Sequence, residues 1–224
     1  EIFTLQNLIT YFVIINLMLK IINKIIYKIM SQGKSNPEIK AILLGNVGVG
    51  KTNLINVSVG LPFNKNEKST ISNTFVTKVL KIDKKDYNID LWDTAGQEKY
   101  YNITKIFFKG SQIVIFVYDI TSKESFEGLK KWIEMAEQIV DGNYVCGIVG
   151  NKNDLYLKSQ VDEKTAINFA ESKNYKFKLV SALNDPKGFQ EFLEILAKDY
   201  INLGEEGKKG VKLGEGDEEH HKKS

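Results

Sequence analysis

Residues 45–52 read GNVGVGKT, a stretch in which three glycines precede a lysine and a threonine. That spacing suits a polyphosphate. Successive backbone N–H groups can wrap its oxygens, the Lys51 ammonium offers a point charge to the outer phosphates, and the Thr52 hydroxyl can ligate Mg²⁺. Gly45, Val47, Gly48, Val49, Gly50, Lys51, Thr52 and Asn53 are the candidate phosphate-end contacts. Such a loop selects a nucleoside triphosphate without choosing the base. NKND at residues 151–154 addresses that choice. A carboxylate at Asp154 accepts both donors of the guanine edge, N1–H and the exocyclic amine, whereas adenine presents no such pair. A polar group left unpaired in a desolvated pocket makes the choice selective. Asn151 and Lys152 complete this candidate base site. Between the two strings lies DTAGQE, residues 93–98. Asp93 suits a carboxylate that orients magnesium-bound water, Gly96 can bring its N–H to the γ phosphate, and Gln97 can orient the attacking water as the candidate catalytic residue.

Each string also has a plainer reading: a glycine-rich turn, a polar turn with Asp capping a helix, and an ordinary strand-to-helix turn. Their placement decides between the two, because all three must sit at the ends of strands. Residues 39–44 form a short apolar run into the glycine-rich turn, and a helix starts near Lys51. Residues 75–82 and 87–92 flank the polar DKKD turn and predict a hairpin. Residues 113–118 and 144–149 are continuous apolar runs, the mark of strands buried on both faces of a mainly parallel sheet. Between them Phe126, Leu129, Trp132, Ile133, Ala136, Ile139 and Val140 keep helical spacing, which predicts a crossover helix. Helices follow over 163–172 and 187–203, separated by a short strand at 177–180. This alternation predicts a three-layer α/β fold. NKND then falls at the carboxyl edge of the sheet, where open α/β sheets bind ligands.

The motifs in this order resemble the Ras-like small GTPases over about residues 38–203, and within them the Rab branch. STISNTF at 69–75, WDTAGQEKY at 92–100 and IVIFVYDIT at 113–121 carry the likeness. The resemblance implies a P-loop NTPase G domain over residues 36–203, with a mostly parallel six-stranded sheet, one antiparallel edge strand and helices on both faces. It implies GTP/GDP and Mg²⁺ as ligands, with slow GTP hydrolysis operating a molecular switch in vesicle trafficking or signalling, in the cytoplasm or on the cytosolic face of an intracellular membrane. Effectors would bind through the switch segments of a monomer, a GTPase-activating protein would supply an arginine, and an exchange factor would release the product. Thr70 would join Thr52 and Asp93 at Mg²⁺ and touch the γ phosphate. Ser181, Ala182 and Leu183 would form the third guanine loop, with the Ala182 N–H facing the base. Phe75, Trp92 and Tyr100 or Tyr101 would make the apolar face that effectors read.

Several residues depart from that pattern. Val47 stands where Ras-like members have glycine and Rab proteins often have serine, and its branched side chain would crowd the γ phosphate and slow hydrolysis. Leu183 replaces the usual lysine of the third guanine loop. Ser72 replaces a first-switch glycine. All 31 basic residues are lysine, so no internal arginine can stabilise the transition state. The chain ends HHKKS without the cysteines that Rab proteins use for prenylation. His220 and His221 read as a solvated pair, since two adjacent ligands do not enclose an ion.

Composition bounds the rest. With 224 residues and 42% hydrophobic content the chain can bury one substantial core with appendages. A net charge of +3, much of it from Lys20, Lys24, Lys28 and Lys34, leaves the middle near neutral and argues against a nucleic-acid partner. Cys146 is the single cysteine, which excludes an intramolecular disulfide and a cysteine-cluster metal site. Residues 1–35 are apolar and then basic. They read as a membrane segment, an accessory helix, or an upstream region translated ahead of Met30. Residues 204–224, rich in Gly, Glu and Lys, are expected to be disordered. Two other functions compete with the switch: a GTP-binding scaffold with negligible hydrolysis, suggested by Val47, and an adenine-specific P-loop ATPase or kinase, which Asp154 opposes.

Overall fold

A computed structural model describes residues 36–67, 70, 74–94 and 107–209. Strand β1 (Glu38–Leu44) leads through the glycine-rich turn into α1 (Lys51–Ser58). The hairpin β2 (Thr74–Ile82) and β3 (Lys85–Asp93) follows, then β4 (Ile113–Asp119), α2 (Lys123–Glu127) and α3 (Leu129–Ile139). After these come β5 (Val145–Asn151), a 3₁₀ segment (Asn153–Lys158), α4 (Glu163–Ser172), β6 (Lys176–Leu179) and α5 (Pro186–Lys209). The six strands lie in the order β2-β3-β1-β4-β5-β6. Only the β2–β3 pair is antiparallel among the described pairings. The expected mostly parallel sheet with one antiparallel edge strand is what forms.

Alternation along β1 shows why there are three layers. Ile39, Ala41 and Leu43 enter one core with Leu54 of α1 and Phe189, Phe192 and Leu193 of α5. Ile42 and Leu44 enter the other with Trp132 of α3 and Ala166 and Ala170 of α4. Successive strand residues point to opposite faces, so a strand covered on both sides must be apolar throughout. β4 meets that demand, buried at every position. Cys146 is the small core residue its strand implied, and burial pushes its thiol up to about 12.

Two expectations need correction. The crossover helix is two helices, because Gly128 caps α2 and starts α3 instead of lying inside one run. Ser122 caps the first, its hydroxyl accepting from the Ser125 N–H at 3.1 Å. The last helix runs to Lys209, six residues beyond the expected end at Leu203, so residues 204–209 are helical rather than part of a disordered tail. Glu205, Glu206, Lys208 and Lys209 are good helix formers, and a helix already nucleated by a packed face adds turns at little cost. The leader at 1–35 and the tail at 210–224, with His220 and His221, lie outside the described residues. No described helix is long and apolar enough to cross a membrane.

Candidate nucleotide site

The carboxyl ends of β1, β3, β4 and β5 deliver their loops to one edge of the sheet, and a cleft of about 620 Å³ runs along it. Val47, Gly48, Gly50, Lys51, Thr52 and Asn53 line one end together with Thr70, while Asn151, Lys152, Asp154, Ala182 and Leu183 line the other. Residues scattered over 136 positions of sequence, from Val47 to Leu183, thus face one space of a size typical for ligand pockets. Gly96, Gln97, Ser72, Tyr100 and Tyr101 lie outside the described residues.

Lys51 is 6% exposed and donates to the Gly45 and Asn46 carbonyls at 2.7 and 3.1 Å. Burial brings its ammonium down to about 8, with the charge of Asp93 pulling the other way. A phosphate in the loop would favour the charged form again. Gly50 has φ +96°, and a Cβ there would lie 2.4 Å from Asn151 Nδ2, so both conformation and space require glycine. Gly45 and Val49 support the loop instead of lining the cleft. A Cβ on Gly45 would strike the Val117 carbonyl, and the Val49 side chain is buried in the core. The Asn53 side chain is likewise committed elsewhere: its Nδ2 donates to the Asn64 carbonyl at 3.0 Å and its Oδ1 accepts from the Asn64 N–H at 2.9 Å. Any phosphate contact from Asn53 must therefore come from its backbone.

Next to Lys51, three oxygen groups converge. Thr52 Oγ1 donates to Asp93 Oδ2 at 2.7 Å, Thr70 Oγ1 reaches the same oxygen at 3.1 Å, and the two hydroxyls are 2.8 Å apart. Asp93 Oδ1 is buried without a partner among the described residues. Burial raises the Asp93 carboxyl above its ordinary range, against the Thr52 hydrogen bond and the Lys51 charge that lower it. Two hydroxyls beside a carboxylate with a spare buried oxygen are hard oxygen donors of the kind Mg²⁺ takes, and the residues fit that ion. Among the described residues no cluster of three or more His, Cys, Asp or Glu offers another metal site.

At the far end Asn151 ties loops together. Its Nδ2 donates to the Val49 carbonyl at 2.8 Å, and its Oδ1 accepts from the Ala182 N–H at 3.3 Å. The Ala182 N–H, expected to face the base, is thus shared with Asn151, because Asn151 sits directly under the third loop. Ser181 Oγ donates to Asp154 Oδ1 at 2.5 Å and accepts from the Asn184 N–H at 3.0 Å, which orients the carboxylate from behind. Leu183 is 51% exposed at the rim. Lys152, in the left-handed region at φ +66°, sends its Nζ to the Gly48 carbonyl at 2.9 Å and to Asp119 Oδ2 at 2.6 Å.

Asp119 is a functional candidate absent from the motif reading. Its Oδ1 accepts from the Thr121 N–H and hydroxyl at 2.8 and 2.7 Å, which leaves Oδ2 for Lys152. The signal was there, since Asp119 ends a buried strand in register with Asn151. Phe63 and Thr94 also line the cleft unforeseen, and Thr94 bonds the Leu43 carbonyl at 2.6 Å. On the outer sheet, Phe75 stacks on Trp92 at 4.9 Å between centroids, and Phe107 leans on Trp92 at 5.3 Å, so Phe107 joins the expected aromatic face.

A model of the Ras family matches residues 40–201. The chain belongs to the Ras family. It is 36% identical to the Ras-related protein RABA1b of Arabidopsis thaliana over 183 residues, which are 79% of this chain and 85% of that protein. It is 37% identical to the Ras-related protein Rab-11C of Dictyostelium discoideum over 161 residues, 72% of each chain. It is 35% identical to the GTP-binding protein ypt3 of Schizosaccharomyces pombe over 175 residues, 75% of this chain and 82% of that one. The protein is a Rab-like small GTPase, an enzyme that binds guanine nucleotide and hydrolyses GTP. Membership in this family disfavours both the non-hydrolysing scaffold and the adenine-specific kinase.

Proposed function

We propose that this Rab-like GTPase binds GTP or GDP with Mg²⁺ in the described cleft and acts as a slow switch in vesicle trafficking, on the cytosolic face of an intracellular membrane. The observation that carries the assignment is the pairing within one cleft of Lys51, Thr52 and Thr70 at one end with Asp154, Lys152 and Ala182 at the other. In this reading the backbone N–H groups of residues 47–53 and the Lys51 ammonium hold the phosphates. Thr52, Thr70 and Asp93 would hold the cation, Asp93 by orienting metal-bound water. Magnesium bound there would supply charge neutralisation at the phosphates. Asp154, fixed by Ser181, takes the two guanine donors. Lys152 lays its stem along the base while its head holds Gly48 and Asp119. Gln97 orients the attacking water, and Val47, 46% exposed on the cleft, limits the room beside the γ phosphate.

Without an arginine of its own the chain cleaves GTP at a rate on the order of 10⁻⁴ s⁻¹, and an arginine from an activating protein raises that by about 10³ to 10⁵. The switch segments around Thr70 and residues 95–106 then present the Phe75–Trp92–Phe107 face to effectors in one nucleotide state only. An exchange factor resets the monomer, and residues 1–35 or a partner hold it to the membrane. The test is the affinity of the chain for GDP, GTP and ATP with Mg²⁺, together with single-turnover GTP cleavage. Guanine preference and slow cleavage that stops on Gln97→Leu are expected. Equal affinity for ATP would overturn the assignment of Asp154.

A further inference from the structure

The phosphate loop is held from behind by a residue that never meets the cleft. Asn46, the second residue of GNVGVGKT, lies outside the cleft lining and accepts a hydrogen bond at 2.9 Å from the indole N–H of Trp132. Trp132 is fully buried in α3, within the core between that helix and the sheet. The backbone carbonyl of the same Asn46 accepts from Lys51 Nζ at 3.1 Å. A single residue therefore joins the lysine that meets the phosphates to a helix 86 positions away in sequence.

The junction of α2 and α3 is shaped around this contact. Gly128 has φ −63°, a conformation any residue adopts, so its backbone does not call for glycine. Space does: a Cβ at Gly128 would lie 2.9 Å from both Asn46 Oδ1 and Nδ2. The clash falls on the end of the asparagine amide, so the side chain must move off the indole to make room. The helix break at Gly128 and the hydrogen bond from Trp132 together enclose the Asn46 side chain.

We propose that Asn46 and Trp132 form a positioning pair that sets the phosphate loop and the Lys51 head for nucleotide, the pair acting through the loop and touching no substrate. A buried indole N–H that loses its acceptor must find another or stay unpaired, so the loop has one strongly favoured position over α3. Loops displaced by a fraction of an ångström lose phosphate affinity and in-line geometry together. The inference rests on the reading of residues 45–52 as the phosphate cradle.

The test is the rate of release of a fluorescent GDP from the full chain with Mg²⁺ present, in a double-mutant cycle. Asn46→Ala and Trp132→Phe each remove the hydrogen bond, one from the half-exposed loop and one from the core. Each should speed release by roughly tenfold, the worth of one hydrogen bond to a buried donor, and the double variant should release no faster than either single. Asn46→Asp keeps an acceptor for the indole and should return release to within about threefold of wild type. Gly128→Ala, which alters neither partner's own side chain but crowds the Asn46 amide, should speed release as Asn46→Ala does. Should Trp132→Phe fail to fold, Asn46→Ala, Asn46→Asp and Gly128→Ala still decide the matter. Unchanged release in Asn46→Ala, or multiplied effects in the double variant, would overturn the pair while leaving the cradle intact. A wild-type chain that does not retain GDP would overturn the cradle and the pair together.

Discussion

At the scale of single residues, the site is built from side chains that hold other side chains. Asp119 illustrates it: Thr121 occupies one carboxylate oxygen, so the other is free to hold Lys152, whose head also bonds Gly48. Asp119→Ala should leave Lys152 held by the Gly48 carbonyl alone and speed GDP loss about tenfold or more, the value of a charge-assisted hydrogen bond, with GTP cleavage in single turnover changed less. Stopped-flow release of bound GDP checks this; a release rate equal to wild type would mean that Gly48 alone suffices to hold Lys152. The residues proposed for the ligand and its cation, Lys51, Thr52, Asp93 and Asp154, were legible because their chemistry dictates their spacing. The residues behind them were not. Asn46 and Trp132 are 86 positions apart, and no local pattern links a loop amide to a core indole. Ala182 was named through the family likeness, but the bond from its N–H to Asn151 of β5 has no local signature either.

At the scale of elements, the strands were legible from unbroken apolar runs, and their ends missed by one or two residues. The runs mark burial, while the ladder continues into polar residues such as Asp93, Asp119 and Asn151 at the edge of the cleft. The helix break at Gly128 escaped the periodicity because the apolar stripe runs through it from Phe126 to Leu129. Between elements the packing leaves little slack. A Cβ on Gly147 of β5 would lie 2.6 Å from the Phe192 ring and 2.9 Å from Leu196 of α5. Both partners are fully buried core side chains with nowhere to move. Gly147→Ala should therefore cost about 1–3 kcal/mol by overpacking. For a chain of this size that is a fall of roughly 2–12 °C in melting temperature, read by calorimetry in saturating GDP. No loss would mean that α5 shifts outward without penalty.

At the scale of the whole molecule, the sheet order places the described loops that line the cleft on one edge, and the two cores behind it are bound to that edge by Asn151, Asn46 and Thr94. That order was not legible from alternation alone, which predicts parallel strands but not which strands are neighbours; the family likeness supplied it. A nucleotide in the proposed cleft would join loops from β1, β3 and β5, so binding should stabilise the fold as a unit. At about a thousand times the dissociation constant, GDP should add about 4 kcal/mol and raise the melting temperature by roughly 8–16 °C, while ATP at the same concentration should do nothing. A scan showing equal shifts with both nucleotides would speak against a guanine-selective cleft. The protein has two tryptophans, and the fold puts them at different stations: Trp132 behind the phosphate loop, Trp92 in the aromatic stack beside the first switch strand. Each half of the site thus carries its own built-in lamp. With Trp92→Phe the remaining emission of Trp132 watches the phosphate loop alone, so the moment at which that half rearranges during one round of GTP cleavage is open to direct optical timing in the unlabelled chain.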